Sequence, residues 1–198
     1  MNEMEKLFSD MNYLNLGELR SICEELKIPY RIFYKKEGRL RTTSAYDRKD
    51  VMLERIRSFL STGVISDPTV LSAQVVNFTR LTTLPKETDP IYFGQYKNGN
   101  MDIDRLVKKL TGGKFRNGAI AYDVLRDYWL QGEAPSYKEF SKSWLKATAQ
   151  HVQPKAEWAY LTDLASGCNM QEWKKLRKEK AASVIAYIKS RIQYRDKK

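Results

Sequence analysis

Proline and glycine cut this chain into short segments, and that punctuation limits what it can fold into. Ile28-Pro29 closes one stretch of regularly spaced apolar residues, and Gly63 closes a second. Pro68, Pro85, Pro90, Gly94 and Gly99 interrupt residues 64–100, while Gly112-Gly113, Gly132 and Pro154 divide the remainder. Proline lacks a backbone donor and breaks helix interiors, and glycine stops helices by adopting positive φ. Between most breakers the apolar residues recur every three or four positions, the period of an amphipathic helix. Short helices with short connections are the expected outcome.

Residues 14–27 carry Leu16, Leu19, Ile22, Cys23 and Leu26 at helical spacing, and residues 47–60 carry Met52, Ile56, Phe59 and Leu60. Asp47 reads as the cap of the second helix. Between the two lies YRIFYKKEGRLRTTSAY, residues 30–46, rich in aromatic and β-branched types around Glu37-Gly38, which predicts a short hairpin. Residues 64–100 have no sustained period but too many apolar residues for a free linker, so an ordered connector is expected, with one short helix near 70–78. From 101 onward five helices are expected. They carry Ile103 to Leu110, residues 118–130, Phe140 with Trp144 and Leu145, Trp158 with Leu161 and Leu164, and Trp173 through Ile192. Ser136 with Glu139 and Asn169 with Glu172 have the spacing of capping boxes, and Pro154 suits a first helical position. The fold class is thus mostly α: a helix–hairpin–helix module at 1–63, the connector at 64–100, and an all-α bundle at 101–198.

Charge points to a class of partner. Thirty-five Lys and Arg against 24 Asp and Glu give a net +11 in 198 residues. Such a balance favours polyanions. The excess is concentrated: residues 27–57 hold 10 basic and 4 acidic residues, and residues 136–198 hold 14 and 6. An anionic membrane surface is a polyanion too, but no run of about eighteen apolar residues is present, so no membrane span is expected, and the expected partner is nucleic acid with no membrane. The first twenty residues lack a signal-like apolar core, and two unpatterned cysteines, Cys23 and Cys168, fit a reducing compartment. A cytoplasmic location follows as the expectation, nucleoid-associated if the source is bacterial.

Two stretches together carry a family likeness. LGELRSICEELKIP followed by an Asp-led helix DRKDVMLERIRSFL resembles a SAP domain, a small helix–extended segment–helix module that binds DNA. Leu16, Leu19, Arg20, Leu26, Ile28 and Pro29 match the first part of that pattern, and Lys49, Val51, Met52, Glu54, Arg55 and Ile56 the second. The likeness covers about residues 13–62, with a longer insert between the helices than the family usually has, and with Asp47 two positions before the lysine in place of a preceding glycine. It implies contact with double-stranded DNA.

Physical reasoning places an anion site in the same region. Lys49 shares a helix face with Leu53, Ile56 and Leu60, so its stem is expected to run along the core edge and its ammonium past the helix end. Free N–H groups at a helix start can receive a phosphate. Arg48 and the hydroxyls of Thr42, Thr43 and Ser44 are expected nearby. Lys35, Lys36, Arg39 and Arg41 form a cationic wing, with Arg55 and Arg57 as an extension. The plain alternatives are a solvated edge for the wing and pairing of Arg48 with Asp50 or Glu54.

Other motifs carry less chemistry. TGGKFRNG, residues 111–118, has Phe115 where a phosphate loop needs Ser or Thr, so a helix corner with positive-φ glycines is expected. Asp123 with Asp127 and Asp102 with Asp104 read as solvated helix faces, Asp102 as a cap. The only histidine, His151, leaves little material for a zinc site or a catalytic triad. The four tryptophans read as core, and WKKLRKEK (173–180) as a basic helix face with nucleic-acid contact as the sharper reading. IYFGQY (91–96) is either pinned into the bundle or exposed for a partner. The expectation is a non-enzymatic DNA-binding protein with no cofactor and no metal, and with a protein partner for the C-terminal domain. A protein-interaction scaffold is the alternative, and a metal-dependent nuclease ranks below it.

Overall fold

A computed structural model describes residues 2–96, 100–150 and 155–195. Expectations placed on Gly99, His151 and Pro154 lie outside these. The described residues are mostly helical, with eight α-helices and one three-stranded sheet. They form two compact units, each discontinuous in sequence. One comprises 1–31, 44–69 and 153–198, and the other 32–43 and 70–152. The units therefore do not follow the linear division at 63 and 100 expected from the sequence.

In the first unit, α1 (Glu3–Asp10) begins at Asn2, whose side chain accepts from the Glu5 N–H while Glu5 accepts from the Asn2 N–H. A 3-10 turn, Met11–Tyr13, leads on to α2 (Leu16–Leu26), which has the same reciprocal cap between Asn15 and Glu18. Each such cap satisfies orphan donors and contributes about 1 kcal/mol. Helix α3 (Lys49–Thr62) stops at Gly63, whose N–H reaches the Phe59 carbonyl at φ 72°. The short α7 (Ala159–Ala165) is followed by α8 (Met170–Arg195), capped by Asn169 and Glu172. Leu7, Met11, Leu14, Leu19, Ile22, Leu26, Met52, Ile56 and Phe59 form one core with Ala181, Val184 and Ile188 of α8. The final helix therefore completes the core of the N-terminal helices. Leu16, expected on the buried stripe of α2, is exposed.

In the second unit, α4 (Met101–Leu110), α5 (Ala119–Leu130) and α6 (Tyr137–Gln150) pack around Ile103, Val107, Phe115, Leu125, Phe140 and Trp144. The cap of α4 is Asn100, which accepts from the N–H groups of Asp102 and Ile103, so Asp102 is a first-turn residue rather than the cap. The TGGKFRNG corner has Gly112 and Gly113 at φ 62° and 82°, with the Gly113 N–H on the Lys108 carbonyl at 2.8 Å. IYFGQY is pinned: Ile91 and Tyr96 are buried, and the Trp129 indole N–H donates to the Ile91 carbonyl at 2.9 Å. The connector's expected helix near 70–78 is instead a strand and a 3-10 turn, Ala73–Val75.

The sheet has the order β2-β1-β3, from β1 (Arg31–Lys36), β2 (Arg39–Tyr46) and β3 (Thr69–Leu71).

Candidate nucleic-acid interface

The hairpin tip is a two-residue turn with Glu37 at φ 51° and Gly38 at φ 73°. Two consecutive positive φ values define the mirror-image turn whose twist matches that of paired strands. A two-residue loop also fixes register, setting Lys36 opposite Arg39, Tyr34 opposite Arg41 and Ile32 opposite Thr43. The Thr43 hydroxyl donates to the Ile32 carbonyl at 2.7 Å, as that register requires. Ile32, Tyr34, Lys36, Arg39, Arg41 and Thr43 therefore share one face, and Phe33, Lys35, Leu40 and Thr42 the other. Ile32 and Thr43 are buried at the base, while Lys35, Lys36, Arg39 and Arg41 are exposed toward the tip. No described residue forms an ion pair with these four cations. Cations two residues apart on one strand stand about 7 Å from each other, a spacing suited to successive backbone charges. Of the three hydroxyls expected to help, Thr42 and Ser44 are exposed, and Thr43 is buried in its own strand hydrogen bond.

The start of α3 is built differently from the sequence expectation. Its cap residue is Arg48, not Asp47, and Arg48 provides no side-chain cap. The Asp47 carboxylate is instead buried against Arg55, with Nη1 to Oδ2 at 2.7 Å. Thr69 donates to the other Asp47 oxygen at 2.7 Å and accepts from Arg55 Nη2 at 2.8 Å, and Arg55 also donates to the Pro29 carbonyl. Arg55 thus ties the end of α2's connection, α3 and the start of β3 together and does not extend a surface patch. Its sequence signal was its place on the Met52–Arg55–Ile56–Phe59 stripe, a charge at a core position. Arg57 is likewise engaged, with the Phe8 carbonyl and Asn12 side chain.

Lys49 donates to the Asn12 carbonyl at 2.6 Å. Burial lowers its pKa to about 8, with Arg177 acting in the same direction and Glu157 and Glu18 against it. Its ammonium turns inward onto the N-terminal segment rather than projecting beyond the helix end. Asp50 occupies the anion position at that end: its carboxylate accepts from the Val51 N–H at 2.9 Å and lies 3.4 Å from Arg48 Nε. The adjoining open groove, about 500 Å³, is lined in part by Asp50, Glu54 and Glu157. Those carboxylates oppose a phosphate, and they make the hairpin the stronger anion candidate.

On α8, Lys174, Lys175 and Lys178 are exposed. Arg177 instead pairs with Glu18, and Lys180 lies 3.2 Å from Asp10 and over the Tyr13 ring. Two of the five cations in the run thus serve packing within their own unit. In the second unit, Lys114 and Arg116 are exposed, and Asn117 bridges Tyr96 and Asp104. No group of three or more His, Cys, Asp or Glu gathers into a metal-ligating arrangement among the described residues. No described helix is long and apolar enough to cross a membrane.

No protein-family model, curated protein or solved structure matches the chain.

Proposed function

We propose that this is a non-enzymatic DNA-binding protein that holds the phosphate backbone through the β1–β2 hairpin, with weak sequence preference. The observation behind the proposal is the set of exposed cations Lys35, Lys36, Arg39 and Arg41, which have no ion-pair partner among the described residues and stand on a turn of fixed register. The α2–hairpin–α3 order, which resembles a SAP module, supports the same reading. Arg48 and Lys49 take a lesser part, because one is paired with Asp50 and the other with Asn12. Backbone contacts position a nucleic acid without reading its bases, which is why weak specificity is expected.

The cations also blunt the outer edge of β2 against strand addition. Binding measurements separate the two roles. Fluorescence anisotropy with a short labelled duplex at low salt compares the wild type with a variant carrying Lys35→Ala, Lys36→Ala, Arg39→Ala and Arg41→Ala. Four exposed contacts at about 0.5 kcal/mol each amount to a roughly thirtyfold loss. Arg48→Ala/Lys49→Ala is expected to lose less. Unchanged affinity in the hairpin variant would overturn the proposal.

A further inference from the structure

Beside the hairpin cations stands an aromatic ring that the fold holds in the open. Phe78 is 55% exposed, yet it is not loosely placed. Its ring meets Tyr34 edge-on at 5.7 Å and Phe93 edge-on at 6.2 Å. Phe93 in turn meets Trp129 at 5.3 Å, and Trp129 is anchored by its indole N–H on the Ile91 carbonyl. Gly94 completes the seat. At φ 95° it passes so close that a Cβ there would come within 2.5 Å of Phe78 Cδ1 and 2.8 Å of the Asn77 carbonyl. A row of rings thus runs from the buried Trp129 outward to Phe78 and Tyr34, all within the second unit.

The hairpin register places Tyr34 directly opposite Arg41 and on the same face as Lys36 and Arg39. The outer end of the row therefore lies beside three cations that have no ion-pair partner among the described residues. An exposed, pre-positioned phenylalanine leaves apolar area in water at about 25 cal/mol per Å², a cost that contact with another ring relieves. Cations interleaved with aromatic rings are the surface that single-stranded nucleic acid needs, because its phosphates and its unstacked base faces are both available. A duplex shields its base faces by stacking and presents only its backbone and groove edges.

We propose that Phe78, supported by Tyr34, is a base-stacking platform beside the hairpin cations, and that the preferred ligand is a single-stranded nucleic acid. This rests on the reading of the hairpin as a backbone-binding element, and it adds the strand form and the contact that selects it.

The test uses the full chain and three labelled probes: oligothymidylate, an abasic strand of the same length, and a duplex. Wild type is expected to favour oligothymidylate over both others. Phe78→Ala is expected to weaken oligothymidylate binding by about 5- to 150-fold, the range for losing one stacked base, and to leave the other two probes unchanged. Phe78→Leu, which keeps an apolar side chain of similar bulk, is expected to lose as much, and Phe78→Trp to retain binding. Equal effects of Phe78→Ala on oligothymidylate and the abasic strand, or a wild-type preference for duplex, would overturn the platform. In either case, loss of binding to all probes in the four-cation hairpin variant would leave the backbone reading standing. A wild type that binds none of the probes would overturn both.

Discussion

Asp47→Ala probes the buried link between Asp47 and Arg55. Their side chains are only 2% and 10% exposed, so neither charge is hydrated to any useful degree. Removing the carboxylate leaves the Arg55 guanidinium facing the Pro29 carbonyl and the Thr69 hydroxyl, neither of which carries a negative charge. Breaking a buried pair from one side costs about 3–5 kcal/mol, because an uncompensated charge remains. For a chain of this length each kcal/mol lowers the melting temperature by about 2–4 °C, so a drop of roughly 6–20 °C is expected. Urea unfolding followed by circular dichroism gives the free energy directly. Arg55→Met is expected to be damaging for the mirror-image reason, while the Asp47→Ala/Arg55→Met double variant loses much less than the sum of the two. An Asp47→Ala loss below about 1 kcal/mol, or additive singles, would refute the argument that the pair acts as one buried unit.

Three further outcomes follow from side-chain environments. Lys49, with a pKa lowered to about 8, binds fewer protons folded than unfolded between about pH 8 and its ordinary value near 10.5. Its desolvation therefore penalises the folded state fully below pH 8, and the penalty is relieved as pH rises through that window. The stability of wild type minus that of Lys49→Met is expected to rise from pH 7.5 to 10 in urea titrations, and a flat difference would contradict it. Cys23 is buried with its thiol pushed up to about 12 by desolvation, whereas Cys168 is only half-buried. A disulfide reagent is expected to label Cys168 alone in native protein and both thiols in denaturant. Gly94→Ala forces a side chain into positive φ and into the Phe78 ring, for an expected loss of about 2 kcal/mol in thermal unfolding.

Much of the local structure was legible because its causes are local. Leu19, Ile22, Cys23 and Leu26 mark α2, Gly63 ends α3, and aromatic and β-branched residues around Glu37-Gly38 give the hairpin and its cations. The Asn2–Glu5 cap of α1 has the same spacing as Ser136–Glu139, but the helix behind it is only eight residues long, too short for a sustained apolar period. What stayed hidden depends on distant partners. Asp47 has the chemistry of a cap, and only Arg55 and Thr69 turn it into a buried ion. Lys49 has the reach to leave its helix end, and only the Asn12 carbonyl draws it inward. Ala181, Val184 and Ile188 have an ordinary helical spacing that names no partner, so neighbouring sequence placed α8 with the wrong helices. The three-residue β3 is too short to show a period, and Phe78 stands in a stretch whose order comes from Gly94 and Phe93.

The salt dependence of DNA affinity bears most directly on the central claim. Each phosphate neutralised by a cation releases counterions, so log affinity falls against log salt with a slope of about −0.9 per contact on duplex DNA. If Lys35, Lys36, Arg39 and Arg41 each hold one phosphate, removing all four makes the slope shallower by about 3.6. Arg48→Ala/Lys49→Ala is expected to change it far less. A hairpin variant with the wild-type slope would contradict the account, because the charges that meet the backbone would then lie elsewhere on the molecule.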